Sequence, residues 1–180
     1  GVLQLKGNIF AHGIHLNATE RRLISQSDSW LVANYDSNLN NGVGVFTGTG
    51  LGPKVMLGTD GMHSDMIAAS QTAWFTGKGY EPLNLNKVFQ RMQMAHLYLA
   101  AHKFEGNSDN NLVVLNYQSP TPVSQANFAS HWFYGLRSSF VEYVISDGRL
   151  VVDKGRCKLV DEEAVMAEAR EHARRLWSKL

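Results

Sequence analysis

The 180-residue sequence has little cysteine, little charge and no long apolar segment. Its single cysteine, Cys157, excludes an internal disulfide and a zinc site built from several thiolates, which is typical of a cytoplasmic protein. No apolar run approaches the roughly 18 residues of a membrane helix and no signal-peptide pattern opens the chain, so we expect no membrane partner. The 17 basic and 16 acidic side chains leave a net charge of +1 without a basic stripe, which argues against nucleic acid as a partner.

The low charge content has a further implication when it is set beside the 44% of apolar residues. Charged residues make up 18% of the chain, against about 25% in average proteins, so we expect extra surface that is buried or covered by a partner. A chain of this size can bury the core of one ordinary domain or of two small ones. Gly1 is followed at once by the apolar stretch Val2–Leu5, and this abrupt start predicts that the sequence was cut from a longer one.

Strand-like and helix-like segments alternate in the first 104 residues. Predicted strands cover residues 9–11, 30–33 and 54–58, the first two of which are expected to be buried. Predicted helices cover residues 19–27, 64–75 and 85–104. Asn17 and Glu20 have the spacing of a capping box at the first helix, whose Leu23 and Ile24 should face inward. Residues 34–52 are rich in asparagine and glycine and are predicted to form a long loop. The alternation indicates an α/β fold with a parallel sheet.

The pattern changes beyond residue 104. Three short β-rich runs cover residues 112–115, 141–146 and 150–152, and Asp147-Gly148 is a hairpin signal between the last two. Residues 161–180 form a predicted amphipathic helix with acidic residues first and basic residues later, as the helix dipole favours. The sequence therefore predicts an α/β part over residues 1–104, a β-layer over 105–160 and a closing helix over 161–180.

Polar side chains follow each of the three predicted parallel strands. His12, the group at residues 34–38 and Asp60 stand at strand ends, and neighbouring parallel strands lie about 4.8 Å apart, so we expect these side chains to meet at one edge. A histidine beside a carboxylate can share a metal-bound water. The alternatives are that Asp-Gly is an ordinary turn pair and that a lone histidine after an apolar strand is a core residue. His63 could line the same pocket, although capping of the next helix by its neighbours is the commoner explanation.

Three segments resemble the last strands of a metal-dependent amidohydrolase. Residues 10–16 (FAHGIHL), 32–41 (VANYDSNLNN) and 56–61 (MLGTDG) are similar, in order and spacing, to its strands six, seven and eight. Residues 64–66, 117–122 and 146–152 resemble one branch in particular, the aminohydrolases of selenium metabolism in the chlorohydrolase and nucleobase-deaminase group. The resemblance implies a partial (β/α)8 barrel consisting of its last three βα units, followed by part of a small β-sandwich and a C-terminal helix. A complete barrel takes about 250 residues, so most of it would lie before Gly1.

The resemblance also implies roles for individual residues. Asp60 would bind the single divalent metal ion, Zn²⁺ or Fe²⁺, and relay a proton from the hydrolytic water. His12 would hydrogen-bond that water and polarise the substrate, while Ser37 and Asn38 would lie next to the substrate. His63 is a further candidate for substrate binding on its position just past Asp60, and not through the resemblance. The other metal ligands of the family have no counterpart here, and zinc needs three or four protein ligands, so this chain alone is expected to lack a competent metal centre.

Two functions from different classes follow. The first is the C-terminal portion of an amidohydrolase that hydrolyses a C–N bond, with a small heterocyclic molecule as substrate and the N-terminal part of the same protein, or a second copy, as partner. The second is a catalytically incomplete fragment that serves as an oligomerisation or interaction module. The low charge content and the abrupt apolar start favour the second, because an incomplete barrel leaves strand edges that pair with something else.

Overall fold

The computed structural model describes residues 1–105 and 110–180. The chain forms two structural units: the first contains Gly1–Glu105 and Ser119–Ser138, and the second contains Ser139–Leu180 together with residues 110–118. From the sequence, residues 105–160 are predicted to form one β-layer, whereas the structure groups 119–138 with the first unit. The polar composition of residues 105–111 predicts the joint between the α/β part and the β part, and residues 106–109 of this segment lie outside the described residues.

A three-stranded parallel sheet organises the first unit. Its strands are β1 (Ile9–Ala11), β2 (Trp30–Ala33) and β3 (Val55–Leu57). β2 lies in the middle, with Ile9 opposite Trp30 on one side and Leu31 opposite Val55 on the other. The predicted parallel sheet is confirmed, and the carboxyl ends of all three strands lie at one edge.

The described residues of the first unit contain five helices, three of which begin at a capping side chain. They are α1 (Ala18–Ser25), α2 (Tyr35–Asn40), α3 (Met66–Gly77), α4 (Leu85–Ala101) and α5 (Phe128–Ser130), with a 3₁₀ turn at Val2–Gln4 and a π turn at His131–Gly135. The capping box of α1 is confirmed: Asn17 Oδ1 accepts the Glu20 N–H at 3.0 Å, and Glu20 Oε2 accepts the Asn17 N–H at 2.8 Å. Asp65 and Asn84 cap α3 and α4 in the same way, each accepting a backbone N–H in the first turn.

The predicted loop over residues 34–52 contains the helix α2. The Asn38 N–H donates to the Asn34 carbonyl at 3.0 Å, which closes the first turn. Tyr35 is buried and packs edge to face against Phe46, with ring centroids 5.7 Å apart. The prediction of a continuous loop was wrong, because burial of Tyr35, Ser37 and Asn38 outweighs the preference of Asn, Asp and Ser for turns.

Two apolar residues of the first unit are more exposed than predicted. Ile9 in β1 and Leu23 in α1 both lie at the surface, although both were predicted to be buried. β1 is an edge strand, and an apolar cavity of about 530 Å³ beside it is lined by residues that include Leu3, Phe10 and Leu16. The predictions were wrong because nothing in the described chain covers this side of β1 and α1.

The core of the first unit lies against β3. All three residues of β3 are buried, and α4 packs on this strand through the fully buried Val88. Gly58 follows β3 directly, and a Cβ atom there would lie 2.5 Å from Asn34 Oδ1 and 2.6 Å from Val32 Cγ1. Only glycine fits at this close approach, so the chain can leave β3 directly beside the end of β2.

A buried ion pair between Glu81 and Arg91 of α4 is also hydrogen-bonded to Tyr35 of α2. Two N–H groups of Arg91 donate to the carboxylate of Glu81 at 2.8 and 2.7 Å, and one of them also donates to the Tyr35 hydroxyl at 3.0 Å. The Gly48 N–H donates to the same carboxylate at 3.0 Å. Burial raises the pKa of Glu81, but the hydrogen bonds and charge of Arg91 outweigh burial and hold this pKa below its ordinary value. The network anchors the first residue of α2.

Replacing Arg91 by Met should lower the free energy of unfolding by about 3 kcal/mol at neutral pH, because the buried Glu81 carboxylate then keeps only the partly exposed Lys87, 3.5 Å away, as its cation. The folded-state pKa of Glu81 is lowered, so the stability from the pair is present above the unfolded-state pKa and is lost as the pH falls through the folded-state pKa. We therefore expect the difference between wild type and Arg91→Met to close on acidification below about pH 4.

Urea unfolding of both proteins at several pH values checks this expectation. Arg175→Met is the matched control, because it removes the exposed pair with Glu171 and should cost less than about 1 kcal/mol at every pH. A small effect of Arg91→Met at pH 7, or one that does not change with pH, would contradict the expected role of the pair.

The second unit is an antiparallel sheet with a helix. Its elements are β4 (Leu112–Leu115), β5 (Val141–Ser146), β6 (Arg149–Asp153), β7 (Arg156–Cys157) and α6 (Glu162–Trp177), and the strands pair in sequence order. Asp147 and Gly148 adopt φ values of 49° and 74°, which confirms the predicted hairpin. β7 was not predicted, because two residues give no periodic signal. No residue of α6 is buried, so its apolar face is uncovered in the described chain. None of the helices within residues 1–105 and 110–180 is long and apolar enough to cross a membrane.

Candidate active site

His12 and Asp60 lie next to each other at the carboxyl edge of the parallel sheet. His12 directly follows β1 and Asp60 follows β3 through Gly58 and Thr59. His12 Nε2 lies 3.7 Å from Asp60 Oδ2, and the two side chains are 42% and 43% exposed. β1 and β3 both pair with β2 and not with each other, so the two side chains meet across the end of the middle strand. The sequence predicted this juxtaposition.

The backbone is in the left-handed region at both positions. The φ angle is 67° at His12 and 54° at Asp60. For a residue other than glycine this conformation costs about 1–2 kcal/mol. At His12 the sheet compensates in part, because the His12 N–H continues the β1–β2 ladder by donating to the Val32 carbonyl at 2.9 Å. Strain at two facing residues is typical of functional sites, where the fold holds side chains in place at a cost in stability.

Two consecutive residues of α2 hold these side chains. Ser37 donates its hydroxyl proton to Asp60 Oδ2 at 2.7 Å, and His12 Nδ1 lies 2.8 Å from Asn38 Oδ1. Ser37 and Asn38 are only 3% and 1% exposed. Asn41, just beyond the helix, donates its side-chain N–H to the Ser37 hydroxyl at 3.3 Å. One buried helical turn therefore orients both partly exposed groups.

The hydrogen bonds determine the protonation of the site. The Ser37 hydrogen bond, followed by the Gly61 N–H, holds the pKa of Asp60 below its usual range despite desolvation, and the nearby His12 adds to the effect. Asp60 is therefore a carboxylate near neutral pH. Because an amide oxygen only accepts hydrogen bonds, the proton of a neutral His12 ring lies on Nδ1. The lone pair on Nε2 then faces Asp60, and the pair offers two proton acceptors on one small exposed surface.

The structure places the predicted site residues in two groups. Ser37 and Asn38 contact Asp60 and His12 directly, whereas His63 contacts neither of them. His63 instead turns toward Asp36, which sequence reasoning did not single out as a site residue. The signal available in the sequence was only that Asp36 precedes the Ser-Asn pair.

The donor atoms of the site suit a divalent metal ion but are too few to hold one. An imidazole nitrogen and a carboxylate oxygen are ordinary zinc ligands, and zinc takes three or four protein ligands in all. Within residues 1–105 and 110–180, no group of three or more His, Cys, Asp or Glu side chains is placed to hold a metal ion. The described residues therefore do not form a metal site by themselves.

The fold is similar to the C-terminal part of amidohydrolase structures. A zinc-bound adenosine deaminase from Xanthomonas campestris matches with a TM-score of 0.78 at 20% identity, over 94% of this chain and 42% of that one. Guanine deaminase from E. coli matches with a TM-score of 0.69 at 23% identity, over 85% of this chain and 40% of that one. No protein-family profile matches the sequence.

Relatives in sequence are deaminases of the amidohydrolase superfamily. A 5-methylthioadenosine/S-adenosylhomocysteine deaminase from Syntrophomonas wolfei is 28% identical, over 99% of this chain and 45% of its own length. A 5'-deoxyadenosine deaminase from Methanococcus vannielii is 27% identical, over 91% of this chain and 42% of its own length. The chain thus spans less than half the length of these relatives. The predicted resemblance to amidohydrolases is confirmed, while these comparisons do not show the finer relation to selenium metabolism.

Proposed function

We propose that this chain is the C-terminal part of a metal-dependent amidohydrolase that deaminates a small heterocycle, hydrolysing a C–N bond. The observation that carries the proposal is the separation of 3.7 Å between His12 Nε2 and Asp60 Oδ2, with both groups held by buried side chains of α2. Nearly the whole of this chain matches relatives that are named as deaminases, which supports the same reaction class.

The two acceptors match the proton movements that deamination requires. Water adds to a ring carbon that carries an amino group, and ammonia leaves, so one proton must pass from the water to the departing nitrogen. The Asp60 carboxylate accepts the proton of the water and delivers it to that nitrogen. His12 Nε2 accepts a hydrogen bond from the same water, and its protonated form polarises the substrate ring.

We further propose Asp60 as one ligand of a divalent metal ion, Zn²⁺ or Fe²⁺, in the intact protein. The remaining ligands would come from a part of that protein outside this chain, because the described residues provide too few. Support comes from the zinc bound in the structurally similar adenosine deaminase.

Ammonia release by the intact protein tests the function. We expect release from amino-substituted nucleosides or bases, loss after chelation and recovery with zinc. The 180-residue chain, purified without chelators and incubated with zinc, should bind almost no metal by elemental analysis, whereas the intact protein should bind about one ion per chain. One ion on the shorter chain would refute the proposed division of ligands. Metal-loaded intact protein that hydrolyses no C–N bond of any amino heterocycle would overturn the function.

Within this class we place the chain beside the aminohydrolases of selenium metabolism, and its first unit as the last three βα units of a (β/α)8 barrel. The resemblance of residues 117–122 and 146–152 to that branch supports the first placement. The strand order β1-β2-β3, with a helix after each parallel strand, supports the second.

The second candidate function is an oligomerisation or interaction module without catalysis. The observation in its favour is exposed apolar surface: α6 buries none of its residues, and Leu176 and Trp177 are among its exposed side chains. In the first unit, β1 likewise leaves Ile9 exposed. This function requires neither metal nor ammonia release by the intact protein, so the same assay separates the two candidates.

A further inference from the structure

Asp36 carries a carboxylate oxygen that lacks a hydrogen-bond donor. The residue lies in α2 directly before Ser37, and its side chain is 18% exposed. Its Oδ1 accepts the Thr72 hydroxyl proton from α3 at 2.7 Å. Its Oδ2 is buried and has no hydrogen-bond partner in the described part of the chain. Because a charged acceptor that is buried and unsatisfied loses its hydration without replacement, this oxygen requires a partner.

His63 presents an N–H group to that oxygen. Its Nε2 lies 3.6 Å from Asp36 Oδ2, slightly beyond a direct hydrogen bond. Its Nδ1 accepts the backbone N–H of Asp65 at 3.0 Å, so the ring adopts the tautomer that carries its hydrogen on Nε2. A small rotation of the imidazole closes the remaining gap. Both ring nitrogens are then engaged within the protein.

We propose that Asp36 and His63 are a positioning pair for the site, with His63 Nε2–H donating to Asp36 Oδ2. The pair ties the segment after β3, which carries Asp60, to the helical turn that carries Ser37 and Asn38. It acts in parallel with the Ser37–Asp60 hydrogen bond, and Thr72 fixes the other oxygen of Asp36 so that the carboxylate cannot turn away. Ser64, next to His63, has a φ of 57°, so this segment needs an attachment that offsets its strain. The expected effect on kcat rests on the proposed deaminase function, whereas the contact between Asp36 and His63 does not.

A double-mutant cycle in the intact enzyme tests the pair. Asp36→Ala and His63→Ala should each lower kcat at least about tenfold with KM within about twofold, since the pair orients catalytic groups without touching substrate. The double variant should be no slower than the slower single variant, because both substitutions break one contact. His63→Gln should recover most of kcat, because its amide N–H can reach the position of Nε2. The matched control is the exposed pair of Glu168 and His172 in α6, 3.5 Å apart, where Glu168→Gln and His172→Ala should change nothing.

The outcomes separate this pair from other roles. If the fold-reductions in kcat of the two single variants multiplied in the double variant, the two residues would act independently and the proposed pair would be refuted. A rise in KM after His63→Ala with kcat unchanged would make His63 a substrate contact, as the sequence alone suggested. If wild-type protein shows no deamination, the proposed function fails, and the cycle is then measured by urea unfolding. There, a double variant that is no less stable than the less stable single variant supports the pair, and additive destabilisation refutes it.

Discussion

Replacing Asp60 by Asn in the intact enzyme is expected to abolish turnover while the fold is retained. Asparagine has nearly the same shape and can still accept one of the hydrogen bonds from Ser37 and Gly61, but it cannot take a proton from water. General acid–base catalysis contributes about 10²–10⁴-fold, and losing a proposed metal ligand adds to this, so we expect activity to fall by at least about 10³-fold. Ammonia release measures the loss, and thermal unfolding shows whether the fold persists.

Asp147→Asn is the matched control for this substitution. Asp147 also precedes a glycine and also has a positive φ, 49°, but it belongs to the exposed hairpin of the second unit. Its replacement should leave kcat within about twofold of wild type, because it is an exposed turn residue with no proposed part in the reaction. If Asp60→Asn retained activity, Asp60 would be only a turn residue of the Asp-Gly type.

His12→Asn should cause a large fall in kcat while the metal content stays unchanged. The substitution removes the acceptor that faces Asp60 and leaves the buried Asn38 without its ring partner. We expect kcat to fall by about 10²–10⁴-fold with KM changed only a few-fold, since the group acts on the reacting water. Steady-state kinetics and elemental analysis on the same preparation measure both quantities.

His15→Asn provides the comparison, because His15 is an exposed residue of the same loop and should tolerate replacement. Loss of metal from the His12→Asn protein would assign His12 as a ligand instead of a proton acceptor. An unchanged kcat would show that His12 has no part in the reaction and is only the residue that follows an apolar strand.

The sequence predicted the frame of the site because that frame depends on local signals. Apolar runs ending at His12 and near Asp60 marked two parallel strands, and the structure has both residues at the expected edge. The helix that supports them was not predicted. Residues 34–40 have the composition of a turn, and α2 forms because Tyr35 is buried against Phe46 and bonded to Arg91. Arg91 is distant in sequence, and the pairing of Tyr35 with Phe46 inside the same segment gives no periodic signal.

Burial at the open side of the sheet was also beyond local signals. Ile9 and Leu23 have the pattern of core residues, and the pattern shows only that they suit a core. Whether these two residues are covered depends on residues that are distant in sequence, which a local pattern does not contain. The Glu81–Arg91 pair was missed for a related reason, since charged residues at such spacing are usually solvated and only the fold buries them together.

The arrangement of α2 has a consequence for how the candidate site can change by mutation. Ser37 and Asn38 support Asp60 and His12 from one short helix, and Tyr35 anchors that helix to Arg91. The orientations of the two reactive groups are therefore inherited together. We expect a harmful mutation anywhere in this small assembly to impair both groups. A second one should then reduce activity less than it would alone, which is positive epistasis between harmful mutations. Under the proposed function, we expect mutations that alter substrate preference to fall on residues outside this assembly, because they leave the hydrogen bonds to Asp60 and His12 intact.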